Sequence, residues 1–155
     1  MSPSSSPKSS EFESRFSRIA LGETGYGEMH KALNTQFSNC SSEEILAQSD
    51  RWNDLVRCKQ THSGKPDIIL LGDSHAEHLF LGLAEAMPDS SMAYYIRNGH
   101  LALGNSVFSV IMRELLESEK PLSILVSMYY MKRFEESPEA RIALFESLNA
   151  LREAG

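Results

Sequence analysis

The second half of the chain repeats one pattern, a short apolar run followed by a stretch with apolar residues at helical spacing. Ile68–Leu71 is a continuous apolar run, which is typical of a strand buried on both faces. His75–Met87 follows as a predicted helix, and Pro88 ends it. The apolar face of that helix consists of Ala76, Leu79, Phe80, Leu83 and Met87.

The same strand-and-helix unit recurs twice. Met92–Ile96 predicts a second strand, Ser106–Glu117 a second helix, and Leu122–Tyr130 a strongly apolar third strand. Alternation of this kind predicts an α/β fold, a three-layer αβα sandwich with a parallel sheet and helices on both faces. In such a sheet the ligand binds beyond the carboxyl ends of the strands.

A last helix is predicted near the end of the chain. Ser137 is a favourable N-cap and Pro138 a favourable first helical residue. The helix is expected to run to about Glu153, with Gly155 as its C-cap. The residues expected to face inward are Ile142, Phe145 and Leu148.

The N-terminal part lacks this regularity. Met1–Ser10 contains six Ser and two Pro and has no apolar core of a secretory signal. Gly22, Gly25 and Gly27 interrupt any regular pattern after it. We interpret residues 1–35 as a flexible Ser-rich tail with an irregular segment, and residues 36–155 as the folded domain.

A capping box at Ser41 and Glu44 predicts that the folded domain opens with a helix. The helix is expected to reach Cys58. Its apolar positions are Ile45, Trp52, Leu55 and Val56.

The two cysteines, Cys40 and Cys58, form neither a C-x-x-C motif nor part of a zinc-spaced cluster. Their spacing leaves two interpretations open. They are two unrelated buried thiols, or they form one disulfide, which would stabilise the domain by roughly 3 kcal/mol. A disulfide would imply an oxidising compartment.

Composition limits the class of protein. The chain has 155 residues and a formal net charge of −6, which is room for one ordinary domain. The acidic balance argues against a nucleic-acid partner, because such a partner requires a basic surface. No stretch approaches the 18 or so consecutive apolar residues of a membrane span.

One tetrapeptide, Gly72-Asp73-Ser74-His75, stands directly after the first predicted strand and directly before a helix. A serine at this turn lies at the positive end of the helix dipole, where backbone N–H groups can hold an oxyanion. Gly72 would permit a sharp turn. This is the geometry that an acyl-transferring serine needs. The alternative is that Asp73 or Ser74 only caps the helix.

Asp67–Ala76 resembles block I of the SGNH (GDSL-like) hydrolases. The GDSH form, with two cysteines upstream, is most similar to the SGNH domain fused to acyltransferase-3 membrane proteins, which O-acetylate bacterial surface polysaccharides. The resemblance implies a flavodoxin-like, doubly wound fold with Ser74 as nucleophile and the Ser74 N–H as one oxyanion donor. It also implies an upstream membrane acyltransferase domain and a periplasmic or extracytoplasmic location. We further expect a Cys40–Cys58 disulfide and no cofactor or metal.

The family's second block supplies a glycine whose N–H also faces the oxyanion, and Gly99 after the second strand matches it best. A plain turn glycine is the alternative interpretation. The third block usually presents an Asn in a G-x-N-D motif after the third strand. The chain has no such motif there, so a third donor is not assigned.

The general base is the largest departure from the family pattern. The family takes it from a D-x-x-H motif near the C-terminus, but the last Asp here, Asp89, has no His three residues on. His75 belongs to block I and is not carried over as the base. His78 is expected at the helix surface, and His100 could reach the cleft. We expect the chain to be a fragment whose D-x-x-H motif lies beyond Gly155. A pseudoenzyme is the less economical interpretation.

These features favour a serine-dependent acyl-ester hydrolase or O-acyltransferase that acts on acylated cell-surface carbohydrate or a small ester. One alternative is a non-catalytic carbohydrate-binding or interaction domain, in which the pairs Tyr94-Tyr95 and Tyr129-Tyr130 could stack on sugars. Aromatic residues in strands are more often part of the core. The other is a metallophosphoesterase with a G-D-x-H motif. That family requires Gly after the His, where Ala76 stands, and further metal motifs that this sequence lacks.

Overall fold

A computed structural model describes residues 25–97, 109–117, 123–129, 134–135 and 137–154. The chain divides into two compact units, Met1–Gln36 and Phe37–Gly155. The described part of the first unit is helix α1 (Gly25–Gln36), so the prediction of an irregular segment is wrong for these residues. Gly25 and Gly27 lie in the first turn, and the nine residues after them contain no Gly or Pro to break the helix. The predicted Ser-rich tail lies outside the described residues.

The second unit contains the predicted strands and helices of the sandwich. Two predicted strands, one at Ile68–Leu71 and one at Met92–Ile96, are confirmed to within one residue. Gly99, His100 and Gly155 lie outside the described residues. The elements are β1 (Ser38–Asn39), α2 (Glu43–Gln48), β2 (Arg51–Trp52), β3 (Leu55–Val56), β4 (Cys58–Gln60), β5 (Ile68–Gly72), α3 (Ser74–Ala86), β6 (Met92–Ile96), α4 (Ser109–Leu116), β7 (Ser123–Ser127) and α5 (Pro138–Ala154).

The main sheet has five strands in the order β1-β4-β6-β5-β7. The strands β6, β5 and β7 are parallel. β5, which comes first of the three in the chain, lies between β6 and β7. This order is the start of a flavodoxin-like sheet, so the predicted α/β class is confirmed. The sheet is not all parallel, however. The short strand β4 pairs antiparallel with β6, and β1 pairs antiparallel with β4 at the edge of the sheet.

The predicted helix from Ser41 to Cys58 is wrong after its first turns. Helix α2 has six residues and ends at Gln48. Its N-cap is Ser42, whose Oγ accepts a hydrogen bond from the Ile45 N–H at 3.2 Å. The helix ends at its C-cap Ser49, whose backbone is extended. The chain then enters the β2–β3 hairpin, where Asn53 adopts a left-handed conformation with φ 51° in the turn.

Helices cover both faces of the sheet. On one face, the Phe80 ring of α3 meets the Tyr94 ring edge-on with 4.8 Å between centroids. On the other face, α2, α4 and α5 pack against the side chains of Ile69 and Tyr95. The buried residues of this second layer are Cys40, Ile45, Val56, Cys58, Ile69, Leu71, Ala93, Tyr95, Ile111, Met112, Leu115, Met128 and Leu144. The three-layer arrangement agrees with the prediction.

The last strand and helix differ from the prediction in burial. Strand β7 is half-buried, and Leu125 is 39% exposed, because among the described strands β7 pairs only with β5. In α5, Ile142 and Phe145 are exposed rather than inward. The stripe that faces the core runs through Ala140, Leu144 and Ser147, so the helix is rotated from the predicted orientation.

Candidate active site

Gly72 lies at the carboxyl end of β5, between the ends of β6 and β7. A Cβ at this position would stand 1.9 Å from the carbonyl oxygen of Ser127, far inside van der Waals contact. The Gly72 carbonyl accepts a hydrogen bond from the Arg97 N–H at 3.2 Å. Glycine is therefore required here by the close approach of β7, rather than by the sharp turn that the sequence suggested.

Asp73 is buried and caps helix α3. Its Oδ1 accepts from the His75 N–H at 3.0 Å, and its Oδ2 accepts from the Tyr129 N–H at 2.8 Å. Burial acts to raise the pKa of this carboxyl, but the hydrogen bonds from the Tyr129 N–H, the His75 N–H and the His75 ring outweigh it and hold the pKa below the ordinary value. The helix-capping interpretation of Asp73 is thus correct, and the same carboxylate also binds the end of β7.

Ser74 is the first residue of α3 and is partly exposed, whereas Gly72 and Asp73 on its N-terminal side are buried. Backbone N–H groups of the first helical turn have no acceptor within the helix, and they carry the positive end of the helix dipole. The hydroxyl of Ser74 therefore stands at an accessible, electropositive point at the carboxyl end of the central strand. This arrangement suits attack on an acyl carbonyl and stabilisation of the resulting oxyanion.

His75 pairs with Asp73 rather than with Ser74. Its Nδ1 lies 2.8 Å from Asp73 Oδ1, and its ring stacks on the Tyr129 ring with 6.0 Å between centroids and 10° between planes. The side chain of His75 is 56% exposed. His78 lies on the exposed side of α3, as predicted. Within the described part of the chain, no cluster of His, Cys, Asp and Glu could hold a metal ion.

Tyr129 is a site residue that the sequence reasoning left undecided. It is 53% exposed and follows β7, next to Asp73 and His75. Its position after the third strand was the signal that could have placed it, since the carboxyl ends of parallel strands share one edge. Tyr94 and Tyr95, by contrast, are buried in the core.

A buried ion pair lies one turn beyond Ser74. Glu77 accepts from Arg57 through two hydrogen bonds, Nε to Oε1 at 2.7 Å and Nη2 to Oε2 at 2.6 Å. The side chain of Glu77 is fully buried and that of Arg57 is 8% exposed. No local pattern in the sequence pointed to this pair, because its members lie on different elements.

The two cysteines are joined in the structure. Cys40 and Cys58 form a disulfide with 5.4 Å between their Cα atoms, and both side chains are buried. The Cys40 N–H also donates to the Cys58 carbonyl at 3.1 Å. The bond thus fixes the start of β4 to the segment that follows β1.

Comparison with known proteins agrees with this geometry. The model of one family, described as SGNH domain (fused to AT3 domains), matches residues 39–155. No curated protein and no solved structure gives a significant match. Among the described helices, none is long and apolar enough to cross a membrane. The match covers most of the chain and includes the whole sheet apart from the first residue of β1, so the chain belongs to the SGNH family, in the group whose domains are fused to AT3 domains.

Proposed function

We propose that this domain is a serine-dependent acyl-ester hydrolase or O-acyltransferase with Ser74 as its nucleophile. Membership of the SGNH family supports hydrolase- or acyltransferase-like chemistry in general. The observation that carries the specific proposal is the position of Ser74. It is the first, partly exposed residue of α3, directly beyond the central parallel strand, in a turn held by Gly72 and Asp73.

In the proposed reaction, Ser74 Oγ attacks the acyl carbonyl of an ester. The oxyanion accepts from the Ser74 N–H and, as proposed from the family pattern, from the N–H of Gly99. The ester C–O bond then breaks, the alcohol leaves with the proton, and the acyl group stays on Ser74. Water or a sugar hydroxyl takes the acyl group in the second step. The chemistry needs no cofactor.

The proton must pass through a general base. The family takes this base from a D-x-x-H motif, which the 155 residues do not contain. We do not assign the role to His75, because it belongs to the first block of the family pattern and not to a D-x-x-H motif.

The proposed substrate is an acylated cell-surface carbohydrate. Fusion to AT3 membrane domains points to a membrane acyltransferase domain as partner and to an extracytoplasmic position for the SGNH part. The Cys40–Cys58 disulfide is compatible with an oxidising compartment such as the periplasm. A carbohydrate-binding domain without catalysis is the second candidate, supported by the exposed Tyr129 ring beside His75.

A fluorophosphonate probe tests the proposal. The probe is applied to the 155-residue chain and to the complete gene product that contains it, each as wild type, Ser74→Ala and Ser123→Ala. Ser123 is a matched control because it is an exposed serine on β7. In the complete gene product we expect labelling of the wild type and of Ser123→Ala, and none of Ser74→Ala. In the 155-residue chain, which contains no D-x-x-H motif, we expect much slower labelling of the wild type. A folded, complete wild-type protein that stays unlabelled would remove the catalytic proposal, and polysaccharide binding by that protein would support the second candidate.

A further inference from the structure

We infer that Arg57 is a positioning residue for this site, which fixes the first turn of α3 relative to the carboxyl end of β6. The inference rests on the proposed function, because it assigns Arg57 a role in holding Ser74 in place at the carboxyl edge of the sheet. Arg57 touches no reacting atom. It acts through two sets of contacts, one from its side chain and one from its backbone.

The side chain holds the nucleophile's helix. Glu77 lies three residues after Ser74, in the first turn of α3. Its carboxylate accepts hydrogen bonds from Nε and Nη2 of Arg57 at 2.7 and 2.6 Å. A two-point contact between planar groups restrains orientation as well as distance. The first turn of α3 is thereby fixed to the segment between β3 and β4.

The backbone of Arg57 holds the end of β6. Its carbonyl accepts from the Ile96 N–H at 3.1 Å, and its N–H donates to the Asp50 carbonyl at 2.9 Å. Ile96 is the last residue of β6, and the next residue, Arg97, donates to the Gly72 carbonyl. One residue therefore connects the first turn of α3, which begins at Ser74, with the carboxyl end of β6.

The neighbouring disulfide makes this connection rigid. Cys58 follows Arg57 directly and forms the disulfide with Cys40. The chain at Arg57 is therefore fixed to β1 and β4 at the edge of the sheet. The backbone at Arg57 is thus restrained independently of the contact between its side chain and Glu77.

Fold stability does not explain the pair well. A buried ion pair loses the hydration of both charges, and replacing such a pair by apolar residues of similar volume is often neutral or stabilising. Both side chains here are almost fully buried. Positioning gives a reason for an ion pair at this place, because misplacement of a reacting group by about 1 Å can reduce the rate about a hundredfold.

The test separates an effect on fold stability from an effect on the position of Ser74. The double variant Arg57→Met/Glu77→Leu removes both charges and keeps apolar packing, so we expect it to stay folded with a Tm close to that of the wild type. We expect fluorophosphonate labelling of Ser74 to slow about tenfold to a hundredfold. The control is Arg113→Met/Glu44→Leu, which removes an exposed ion pair and should label at the wild-type rate. A folded Arg57→Met/Glu77→Leu protein that labels at the wild-type rate would overturn the inference.

Amide hydrogen exchange is a second measurement of the positioning role. It applies even if the double variant unfolds or the wild type is not labelled. The variant Arg57→Lys keeps the positive charge but cannot form the paired hydrogen bonds to Glu77. We expect faster exchange of the amides of Ser74–Phe80 and of Arg97, and unchanged exchange of the amides of α4 and α5. Unchanged exchange at Ser74–Phe80 and Arg97 contradicts the positioning role. An unlabelled wild type with the expected exchange pattern would count against the proposed function alone.

Discussion

The backbone N–H of Tyr129 donates a 2.8 Å hydrogen bond to Oδ2 of Asp73, and this bond joins the ends of β5 and β7 beside Ser74. The other oxygen of the same carboxylate caps α3 through the His75 N–H. One buried carboxylate thus fixes the nucleophile's helix and the neighbouring strand end together. The geometry around Ser74 depends on both oxygens.

Asp73→Asn should separate these two roles. The Asn carbonyl can still cap the helix, because Asn and Asp are equally good N-caps. Its NH₂ group cannot accept from the Tyr129 N–H, so that bond is lost. We expect a loss of about 1–2 kcal/mol in the free energy of unfolding at pH 7, measured by urea denaturation. The control Asp89→Asn, at an exposed aspartate, should change stability by less than about 0.5 kcal/mol.

The same variant has a predictable pH dependence. The pKa of Asp73 is lowered in the folded state, so its contribution to stability is present above the unfolded pKa of about 3.9 and is lost as the pH falls through the lower folded pKa. The difference in unfolding free energy between wild type and Asp73→Asn should shrink as the pH falls below about pH 4. A difference that grows on acidification would contradict this assignment.

Gly72→Ala should be strongly destabilising, because the added Cβ would stand 1.9 Å from the Ser127 carbonyl oxygen and force β5 and β7 apart. We expect a loss of about 3 kcal/mol or more in chemical denaturation. Gly27→Ala is the matched control, since nothing lies within 4 Å of its Cβ position in helix α1. That change should be neutral or stabilising by up to about 1 kcal/mol. Equal effects of the two substitutions would refute the close approach as the reason for Gly72.

Reduction of the Cys40–Cys58 disulfide should lower stability by about 3 kcal/mol, because the bond closes a loop with a sequence separation of 18. The measurement is thermal unfolding with and without reductant. The double variant Cys40→Ser/Cys58→Ser should have the Tm of the reduced wild type, both with and without reductant. Two free thiols in protein exported to an oxidising compartment would show that the bond does not form.

His75→Gln tests the assignment of the base. Because His75 belongs to the first block of the family pattern, whereas the family takes its base from a D-x-x-H motif, we expect only a modest effect on Ser74 labelling, less than about tenfold. Loss of a true general base costs on the order of 10⁴ in rate. A decrease of that size in a protein of unchanged Tm would make His75 the base after all.

The elements that the sequence predicted best are those fixed by local pattern. β5, α3 and β6 have uninterrupted apolar runs or helical spacing and clear breakers between them, and their boundaries were correct to within one residue. The position of Ser74 followed, because the strand ends at Gly72 and the helix begins at Ser74, with only Asp73 between them. The family motif added the chemistry.

The parts that could not be predicted depend on contacts distant in sequence. Leu55 and Val56 fit a helical face as well as a strand, and the hairpin and the antiparallel pairing of β4 with β6 decide between them. The inward stripe of α5 is set by packing against α4 rather than by hydrophobicity, so Phe145 is exposed while Ser147 is buried. The Arg57–Glu77 pair likewise exists only once β3, β4 and α3 have assembled.

The most direct test of the central claim is detection of an acyl group on Ser74. The complete gene product is mixed with p-nitrophenyl acetate, quenched with acid at short times, and examined by intact mass and peptide mapping. If Ser74 is the nucleophile, we expect one acetyl group per chain, on the peptide that contains Ser74, and none in Ser74→Ala. Ester turnover that persists in Ser74→Ala, with no acetyl group on that peptide in the wild type, would contradict it.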